Sequence, residues 1–373
     1  MAVLTSPFPR RKTRQILLGR LAIGGGAPIS VQSMTKTDTR NVRETVRQAQ
    51  ALERAGCQVV RLAVPDGEAA EALARIRKSV RVPLVADIHF DHRLALQALR
   101  AGVDGLRLNP GTIGHPDRVR KIVEAAKERG AVIRIGVNSG SLEKGLLKKH
   151  GGATAEAMAS SALRYVRLLE DLGFRQIKVS LKASDVPRTL AAYRLLARQT
   201  DVPFHAGITE AGGLLAGSVK SAAGLALLLR EGLADTVRVS LTASPQDEVR
   251  AAFRILAALK LQEHGPEVIS CPTCGRCEVK LIPLAAEVEK RLSGLQAPLK
   301  VAVMGCVVNG PGEAREADIG VAFGRDKAVL FKEGKLIRRL RPSEVIEVLT
   351  REAMALAKSK RPRSGQNRRL SKF

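Results

Sequence analysis

The chain lacks tryptophan, and aromatic residues make up only 3% of it. Proteins that bind single-stranded nucleic acid by base stacking need aromatic side chains, so this scarcity argues against that class. No run approaches the roughly 18 consecutive apolar residues of a membrane-spanning helix. Residues 1–12 contain no apolar core followed by a cleavage site, so we expect no secretory signal.

Acidic residues are also scarce, since 36 Asp and Glu stand against 62 Lys and Arg and give a formal net charge of +26. A basic surface attracts nucleic acid, and an electropositive cleft attracts phosphorylated metabolites. Part of the excess lies in residues 358–373, which carry seven Lys or Arg and no acid. We expect this tail to be a disordered, solvated extension; nonspecific binding to RNA or acidic surfaces is the alternative.

Cysteine is rare but concentrated. Three of the five cysteines form a C-x-x-C-x-x-C run at Cys271, Cys274 and Cys277, and Cys306 follows downstream. This clustering is typical of chains that hold an iron–sulfur cluster or zinc. Free clustered thiols also favour a reducing, cytoplasmic location. We expect the remaining one, Cys57, to be a small buried hydrophobe.

The first two-thirds of the chain repeats one pattern, in which short β-rich segments alternate with helical stretches rich in Ala, Leu and Arg. The segments are residues 29–33, 58–64, 83–89, 105–109, 132–138, 177–182, 203–210 and 236–241. Eight such units in about 250 residues predict a (β/α)8 barrel, which we assign to residues 1–264. An open doubly wound sheet is the alternative, but no G-x-G-x-x-G follows the first strand.

Polar residues gather at the ends of the predicted strands, where barrel enzymes build their active sites. They are Arg61, Asp87, His89, Arg107, Asn109, Arg134, Asn138, Lys182, His205, Thr209, Glu210, Arg238 and Ser240. Four arginines within strands are unusual, because a buried guanidinium needs a partner. Converging arginines predict a phosphate or diphosphate site. The alternative is a layer of internal salt bridges with Asp87 and Glu210 as partners.

Residues 265–357 predict a second, smaller α/β domain that begins after His264. We expect a helix over 283–292, strands at 300–304, 319–323, 328–331 and 335–338, and a last helix over 342–357. The cysteines fall inside this domain, so we expect it to hold the metal.

The chain carries several specific motifs. In the second domain they are Ser270-Cys-Pro-Thr-Cys-Gly, Val303-Met-Gly-Cys-Val-Val-Asn-Gly-Pro-Gly-Glu313 and Ala317-Asp-Ile-Gly-Val-Ala. The barrel adds Val31-Gln-Ser-Met-Thr, Ala86-Asp-Ile-His-Phe and Arg134-Ile-Gly-Val-Asn-Ser-Gly-Ser-Leu. Together these motifs resemble one known family, the bacterial 4-hydroxy-3-methylbut-2-enyl diphosphate synthases. The resemblance implies an iron–sulfur enzyme that converts 2-C-methyl-D-erythritol 2,4-cyclodiphosphate to the linear diphosphate by reductive ring opening and loss of water. It also implies a C-terminal domain similar to the cluster domain of sulfite and nitrite reductases.

The resemblance assigns the ligands of a [4Fe–4S] cluster to Cys271, Cys274, Cys306 and Glu313. Three soft thiolates and one hard, more easily displaced carboxylate suit four irons. Pro311 and Gly312 are expected to make a turn that brings Glu313 to the cluster; an ordinary acid at a helix start is the alternative. Cys277 departs from the three-cysteine pattern, and we expect it to lie nearby without binding iron.

The resemblance also places the substrate in the barrel mouth. Arg61, Arg107, Arg134, Lys182, Arg238 and Ser240 would hold the diphosphate, and Asp87, His89, Asn138 and Thr209 would complete the pocket. Glu210 matches the family's essential acidic residue and would act as general acid–base, which requires a pKa raised towards neutrality.

The family further implies a head-to-tail homodimer in which each cluster domain caps the partner's barrel. Its electron donor is flavodoxin or ferredoxin, acidic carriers that a basic surface would steer.

Two rival functions remain open at this stage. One is a zinc-dependent, basic RNA-binding protein, although nucleic acid binding is not expected, and the other is a pterin-binding barrel enzyme.

Overall fold

The computed structural model describes residues 7–113 and 116–359. They separate into two compact units, with the division between Gln262 and Glu263. Most of the predicted basic tail lies outside the described residues; of it, Lys358 and Ser359 end the last helix. No helix in the described part of the chain is both long and apolar enough to cross a membrane.

The first unit alternates strands and helices. Its strands are β1 (Ile16–Leu18), β2 (Leu21–Ile23), β3 (Ser30–Met34), β4 (Val59–Val64), β5 (Leu84–Ile88), β6 (Gly105–Leu108), β7 (Val132–Asn138), β8 (Ile177–Lys182), β9 (His205–Ala206) and β10 (Thr236–Val237). Strands β3 to β10 pair in parallel in the order β8-β7-β6-β5-β4-β3-β10-β9. A parallel bridge between Val179 and Phe204 joins the two ends of this order. The eight strands therefore form the predicted (β/α)8 barrel.

Helices cover the outside of the barrel. They are α1 (Val42–Arg54), α2 (Gly67–Ser79), α3 (His92–Arg100), α4 (Pro110–Ile113), α5 (Pro116–Arg129), α6 (Lys144–His150), α7 (Ala155–Asp171), α8 (Val186–Ala197), α9 (Leu214–Arg230) and α10 (Pro245–Ala258), with a 3₁₀ turn at Ser139–Ser141. Many begin at a side chain that accepts a hydrogen bond from a free backbone N–H of the first turn, as Asp66 does from Ala69. Between helices and strands lies one large aliphatic core.

An N-terminal hairpin, which the sequence did not suggest, packs at the start of the barrel strands. Strands β1 and β2 are antiparallel, and Ile16, Leu18 and Ile23 form a buried cluster with Val59, Val85 and Val132. These valines lie at the amino-terminal ends of β4, β5 and β7. The hairpin therefore seals the end of the barrel that is opposite the strand carboxyl ends.

Two barrel strands are shorter than predicted. The segment 203–210 pairs only at β9, and 236–241 only at β10. The backbone N–H of Leu241 donates to the carboxylate of Glu248 instead of a neighbouring strand, at 3.1 Å. Glu210 adopts a positive φ of 52°, which a strand cannot accommodate. In these two segments, a side-chain hydrogen bond to Leu241 and the loop conformation of Glu210 thus take the place of strand pairing.

The second unit is a five-stranded sheet with helices on both faces. Its elements are β11 (Pro266–Ser270), α11 (Leu281–Leu292), β12 (Leu299–Met304), α12 (Gly310–Glu316), β13 (Ile319–Phe323), β14 (Ala328–Lys332), β15 (Lys335–Leu340) and α13 (Val345–Ser359), with a 3₁₀ turn at Pro342–Glu344. The strand order follows the chain, and β14 and β15 are antiparallel to their neighbours. The predicted small α/β domain is present, but β11 and α12 were not predicted.

Candidate active site

Charged side chains form a row across four neighbouring barrel strands. In the strand register Asp87 pairs with Arg107, Arg107 with Arg134, and Arg134 with Lys178. All four residues are at least nine-tenths buried. Because residues at equal height on parallel strands point to the same side of the sheet, three cations and one carboxylate share the barrel interior. The first three are predicted from the sequence as site residues, and Lys178 is not.

Asp87 is the carboxylate that organises one side of this row. Its oxygens lie 3.3 Å from Nη1 of Arg107, 3.8 Å from Nε of Arg61 and 3.6 Å from Nε2 of His89. Arg107 also lies 2.9 Å from His89 Nε2 and donates to the Gly136 carbonyl oxygen at 2.9 Å. Burial opposes ionisation, but Arg61, His89 and Arg107 outweigh it and hold the pKa of Asp87 well below its usual range.

A second carboxylate, Glu248 of α10, was also missed by sequence analysis. It is 2% exposed, lies 3.6 Å from Nη2 of Arg238 and 3.3 Å from Nζ of Lys36, and accepts a hydrogen bond from the Ser33 hydroxyl at 2.9 Å. Its position in a helix gave no sequence signal, because an acid near a helix start usually faces solvent. It fixes Arg238 and the end of β10.

Four further buried basic side chains have unpaired polar atoms. Within the described residues, Nε and Nη1 of Arg134, Nζ of Lys178, Nζ of Lys182 and both ring nitrogens of His205 lack hydrogen-bond partners. Burial is the main cause that lowers the pKa of each of these groups, and neighbouring cations add to it. Unpartnered buried charge of this kind is unfavourable unless a ligand compensates it.

The balance of charge bears on the two sequence interpretations of the interior. Two carboxylates, Asp87 and Glu248, face six basic side chains, which are Arg61, Arg107, Arg134, Lys178, Lys182 and Arg238. The carboxylates pair with Arg61, Arg107 and Arg238, whereas the exposed Glu210 makes no ion pair in the described part of the chain. Ion pairs among the described residues therefore leave Arg134, Lys178 and Lys182 without a carboxylate, and this part of the interior is suited to an anion.

Two glycines make space for the cations. A Cβ on Gly136 would collide with the Arg107 guanidinium, and a Cβ on Gly207 would lie 2.7 Å from Nζ of Lys182. Neither glycine has a positive φ. Space, rather than backbone conformation, is therefore what requires glycine at both positions.

Replacing Gly136 by alanine should displace Arg107 and weaken anion binding by roughly tenfold, since a charge-assisted contact is lost. Overpacking should also lower the free energy of unfolding by about 1–3 kcal/mol. Calorimetric titration with a diphosphate ligand and thermal melting would measure the two effects. Gly140→Ala is the matched control, because a Cβ there meets no atom within 4 Å. Equal affinities for the two variants would show that Arg107 does not hold the anion.

The other predicted site residues lie at the carboxyl ends of the strands. Asn138 and Ser240 are half-buried, and the Thr209 N–H donates to the Ala183 carbonyl oxygen at 3.3 Å. Glu210 is exposed and holds a left-handed φ of 52°. Such a conformation costs a non-glycine residue free energy of about 1–3 kcal/mol and is concentrated at functional sites.

Two of the four predicted cluster ligands in the second unit follow neighbouring strands. Cys271 comes directly after β11, and Cys306 follows β12 by two residues. The two strands are parallel, with Ser270 opposite Val303, so both cysteines lie at the same edge of the sheet. A Cβ on Gly305 would collide with the Cys277 sulfur and lie 3.5 Å from that of Cys271.

Cys306 lies in the turn that precedes α12, four residues before the first helical residue, Gly310. Hydrogen bonds from the backbone N–H groups of Asn309, Val308 and Gly310 lower the pKa of its thiol. A helix start stabilises a thiolate, which is the form that binds metal. Glu313 lies exposed in the first turn of the same helix.

The expected turn at Pro311 and Gly312 is wrong. Both residues belong to α12, with proline at the start of the helix, where its missing N–H is not needed. Glu313 therefore reaches its position as part of a helix that follows directly on the turn containing Cys306.

Cys274 is exposed, and its carbonyl oxygen accepts a hydrogen bond from the Cys277 N–H at 2.9 Å. The Cys277 sulfur lies 3.2 Å from the Val279 carbonyl oxygen. No group of three His, Cys, Asp or Glu side chains in residues 7–113 and 116–359 converges to hold a single metal ion. Cluster ligands each bind a different iron and need not converge on one point. Cys57 is buried as expected, and burial raises the pKa of its thiol to about 12.

The fold and the interior define a TIM-barrel protein, and two family models name its family. The family model "GcpE TIM-barrel domain" matches residues 13–253, and "GcpE protein C-terminal domain" matches residues 267–355. The chain therefore belongs to this family, and the resemblance read from its motifs is confirmed.

Curated relatives share the name 4-hydroxy-3-methylbut-2-en-1-yl diphosphate synthase (flavodoxin). The protein from Geobacter sulfurreducens is 58% identical over 343 residues, covering 92% of this chain and 97% of the relative. The one from Caldanaerobacter subterraneus subsp. tengcongensis is 54% identical over 349 residues, covering 94% and 98%. These relatives favour neither the RNA-binding nor the pterin alternative.

Among solved structures, dihydropteroate synthase from Stenotrophomonas maltophilia is 15% identical with a TM-score of 0.49, covering 66% of this chain and 98% of that one. A likeness at this level carries no argument about function.

Proposed function

We propose that the chain converts 2-C-methyl-D-erythritol 2,4-cyclodiphosphate to 4-hydroxy-3-methylbut-2-enyl diphosphate, the product for which its relatives are named. One ring carbon–oxygen bond breaks, and the diphosphate stays attached through its other ester. The hydroxyl on the neighbouring carbon takes up a proton and leaves as water, and two electrons enter, so that a double bond forms between the two carbons that lose oxygen. The family resemblance supplies the substrate.

The observation that carries this proposal is the excess of buried cations in the barrel. Each phosphorus of the cyclic diphosphate keeps one ionised oxygen, so the ligand brings the negative charge that Arg134 and Lys182 lack. Arginine forks bind phosphate oxygens in pairs, and a lysine adds a point charge. We assign the diphosphate to Arg61, Arg107, Arg134, Lys182, Arg238 and Ser240.

The remaining mouth residues surround the carbon skeleton. We assign Asn138, Thr209, Asp87 and His89 to the pocket wall. Asp87 stays ionised because Arg61 and Arg107 flank it, so it positions these arginines and does not supply a proton. That leaves Glu210, free of the arginines and held by a strained backbone, as the proton donor to the departing hydroxyl.

Arg134→Met should weaken binding of the cyclic diphosphate by roughly 2 kcal/mol or more, since a charge-assisted contact is lost. The same change should leave the melting temperature of the ligand-free protein unchanged or higher, because it removes an unpaired buried cation. Calorimetric titration and thermal melting measure both. Exposed Arg188 of α8 provides the control variant, Arg188→Met. Unchanged affinity together with a large loss of stability would make Arg134 a structural residue.

We further propose that Cys271, Cys274, Cys306 and Glu313 hold a [4Fe–4S] cluster. The residues fit this group: Cys271 and Cys306 share one edge of the sheet, a helix start favours the Cys306 thiolate, and Glu313 is exposed in that helix. Such a cluster, when bound, supplies the electrons of the reduction one at a time. The chain's own part is to present three thiolates and one carboxylate as its ligands.

Flavodoxin is the electron donor that we propose, with ferredoxin as the alternative carrier. Both are acidic as a rule, and the net charge of +26 would steer them to this chain. We also propose a cytoplasmic location, because clustered cysteines that bind metal need a compartment in which thiols stay reduced.

The family also leads us to propose a homodimer in which each cluster domain caps the partner's barrel. Apolar side chains exposed on each unit support such contacts. Phe90 and Leu215 of the barrel unit are 71% and 81% exposed, and Val307 and Val308 beside Cys306 are each 62% exposed. Exposed apolar patches often mark protein interfaces.

The proposed function is tested by anaerobic purification and a reductive assay with the cyclic diphosphate. We expect a brown protein that contains iron and acid-labile sulfide and releases the linear diphosphate when reduced flavodoxin is supplied. A colourless zinc protein without turnover would overturn the proposal.

A further inference from the structure

We propose that Lys178 is a further substrate-binding residue, which lies at the floor of the diphosphate site and takes up a proton when the substrate binds. This inference rests on the proposed function and adds a residue to the site that the sequence motifs did not indicate.

The position of Lys178 supports the proposal. Along β8 the residues Lys178, Ser180 and Lys182 alternate with Ile177, Val179 and Leu181, so both lysines point into the barrel. Lys178 precedes Lys182 by roughly 13 Å of strand towards the sealed end of the barrel. It is level with Arg134, its register partner on β7.

Lys178 also lacks a protein partner. It is 1% exposed, and its Nζ makes no hydrogen bond with the described residues. An ammonium buried without an anion or a hydrogen-bond acceptor is strongly unfavourable, so a structure that retains one there needs a ligand or loses the proton. The neighbouring Arg134 has unpartnered Nε and Nη1 atoms that face the same need.

Arg134, which faces Lys178 from β7, disfavours its protonation in the empty site. The buried ring of His205 on β9 and Lys182 on the same strand supply no negative charge, and the carboxylate of Asp87 is engaged by Arg61 and Arg107. On the outer side of β8, Tyr193 of α8 hydrogen-bonds the backbone of Leu181. Burial first, and Arg134 second, lower the pKa of Lys178 to about 7.

An anionic ligand reverses this preference. The diphosphate favours the charged form of the lysine and raises its pKa, so binding draws a proton from solution wherever the free lysine was neutral. At about pH 6 Lys178 is already protonated and little uptake is expected, whereas at about pH 8 its contribution should approach one proton. The cyclic diphosphate itself does not confuse the result, because both of its phosphate groups stay ionised throughout this range.

The test is calorimetric titration of the whole protein with the cyclic diphosphate, in buffers of different ionisation enthalpy, at about pH 6 and pH 8. The dependence of the binding enthalpy on the buffer gives the number of protons taken up. We expect Lys178→Met to reduce this number at the higher pH by nearly one proton and to weaken binding by roughly tenfold. Lys178→Arg should keep affinity but lose the uptake, because arginine stays charged.

The matched control is Lys220→Met, which removes an exposed lysine of α9 and should change neither the affinity nor the proton number. If the unmodified protein does not bind the cyclic diphosphate at all, the proposed function fails. If it binds but its proton uptake is the same at both pH values, or is unchanged in Lys178→Met and Lys178→Arg, the role of Lys178 is overturned. Equal uptake by the unmodified protein at both pH values overturns the role even if a variant does not fold. Unequal uptake is assigned to Lys178 by the two variants, because Lys182 and His205 are buried bases with lowered pKa values as well.

Discussion

Replacing Cys306 by serine should remove the iron–sulfur cluster and abolish turnover, while the barrel still binds the cyclic diphosphate. A serine hydroxyl stays protonated and is a poor ligand for iron, whereas backbone N–H groups at the start of α12 favour the Cys306 thiolate. Iron and acid-labile sulfide content, visible absorption and the rate of product formation measure the loss. Calorimetric titration shows whether the anion site is intact. Cys271→Ser and Cys274→Ser should behave in the same way.

Cys277→Ser is the informative control, because its sulfur lies against Gly305 next to Cys271. If three cysteines and Glu313 are the ligands, this variant keeps its iron and its activity. The contrary pattern would be a Cys277→Ser protein without a cluster beside a fully active Glu313→Ala protein. That result would establish a site with four cysteine ligands and remove Glu313 from it.

Glu210→Gln should lower turnover by about two to four orders of magnitude, the usual contribution of general acid–base catalysis. The amide keeps the shape and can donate a hydrogen bond, but it cannot deliver a proton to the departing hydroxyl. Because the carboxylate makes no ion pair with the arginines in the described residues, its loss should change neither the dissociation constant of the substrate nor the melting temperature.

The alternative role for Glu210 is to neutralise an arginine of the mouth. In that case Glu210→Gln would alter substrate affinity and stability while turnover at saturation stayed nearly normal. Asp87→Asn gives the comparison, because Asp87 does pair with Arg61 and Arg107 and its loss should change affinity and stability. Saturated rates, dissociation constants and melting temperatures for the two variants separate the roles.

Much of the barrel was predictable because its strands are short apolar runs between amphipathic helices, a pattern that residues 132–138 and 177–182 follow to the residue. The carboxyl-terminal ends of β9 and β10 could not be predicted, because Glu248 supplies a long-range hydrogen bond to the backbone of Leu241. Neither the hairpin β1–β2 nor the helix α12 was predicted, since each is short and is stabilised by packing on distant residues.

In the site, too, features set by the local sequence could be predicted, whereas contacts between residues distant in the sequence could not. The arginines could be found because charge inside an apolar strand is conspicuous. Alternation along β8 could also have revealed Lys178, since it lies on the same side as Lys182. Nothing in the sequence around Glu248 indicated that it faces Arg238, because that contact depends on how α10 packs against the barrel.

Because the hairpin β1–β2 covers the amino-terminal end of the barrel, the site in the described part of the chain opens at the carboxyl ends of the strands. The buried apolar side chains of Ile16, Leu18 and Ile23 close the amino-terminal end. The substrate must enter at the carboxyl ends of the strands to reach the buried lysines. The product, which carries one more ionised phosphate oxygen than the substrate, must depart along that route against the attraction of the same cations. Substrate entry and product release therefore share one opening, and product release is the step that this architecture slows.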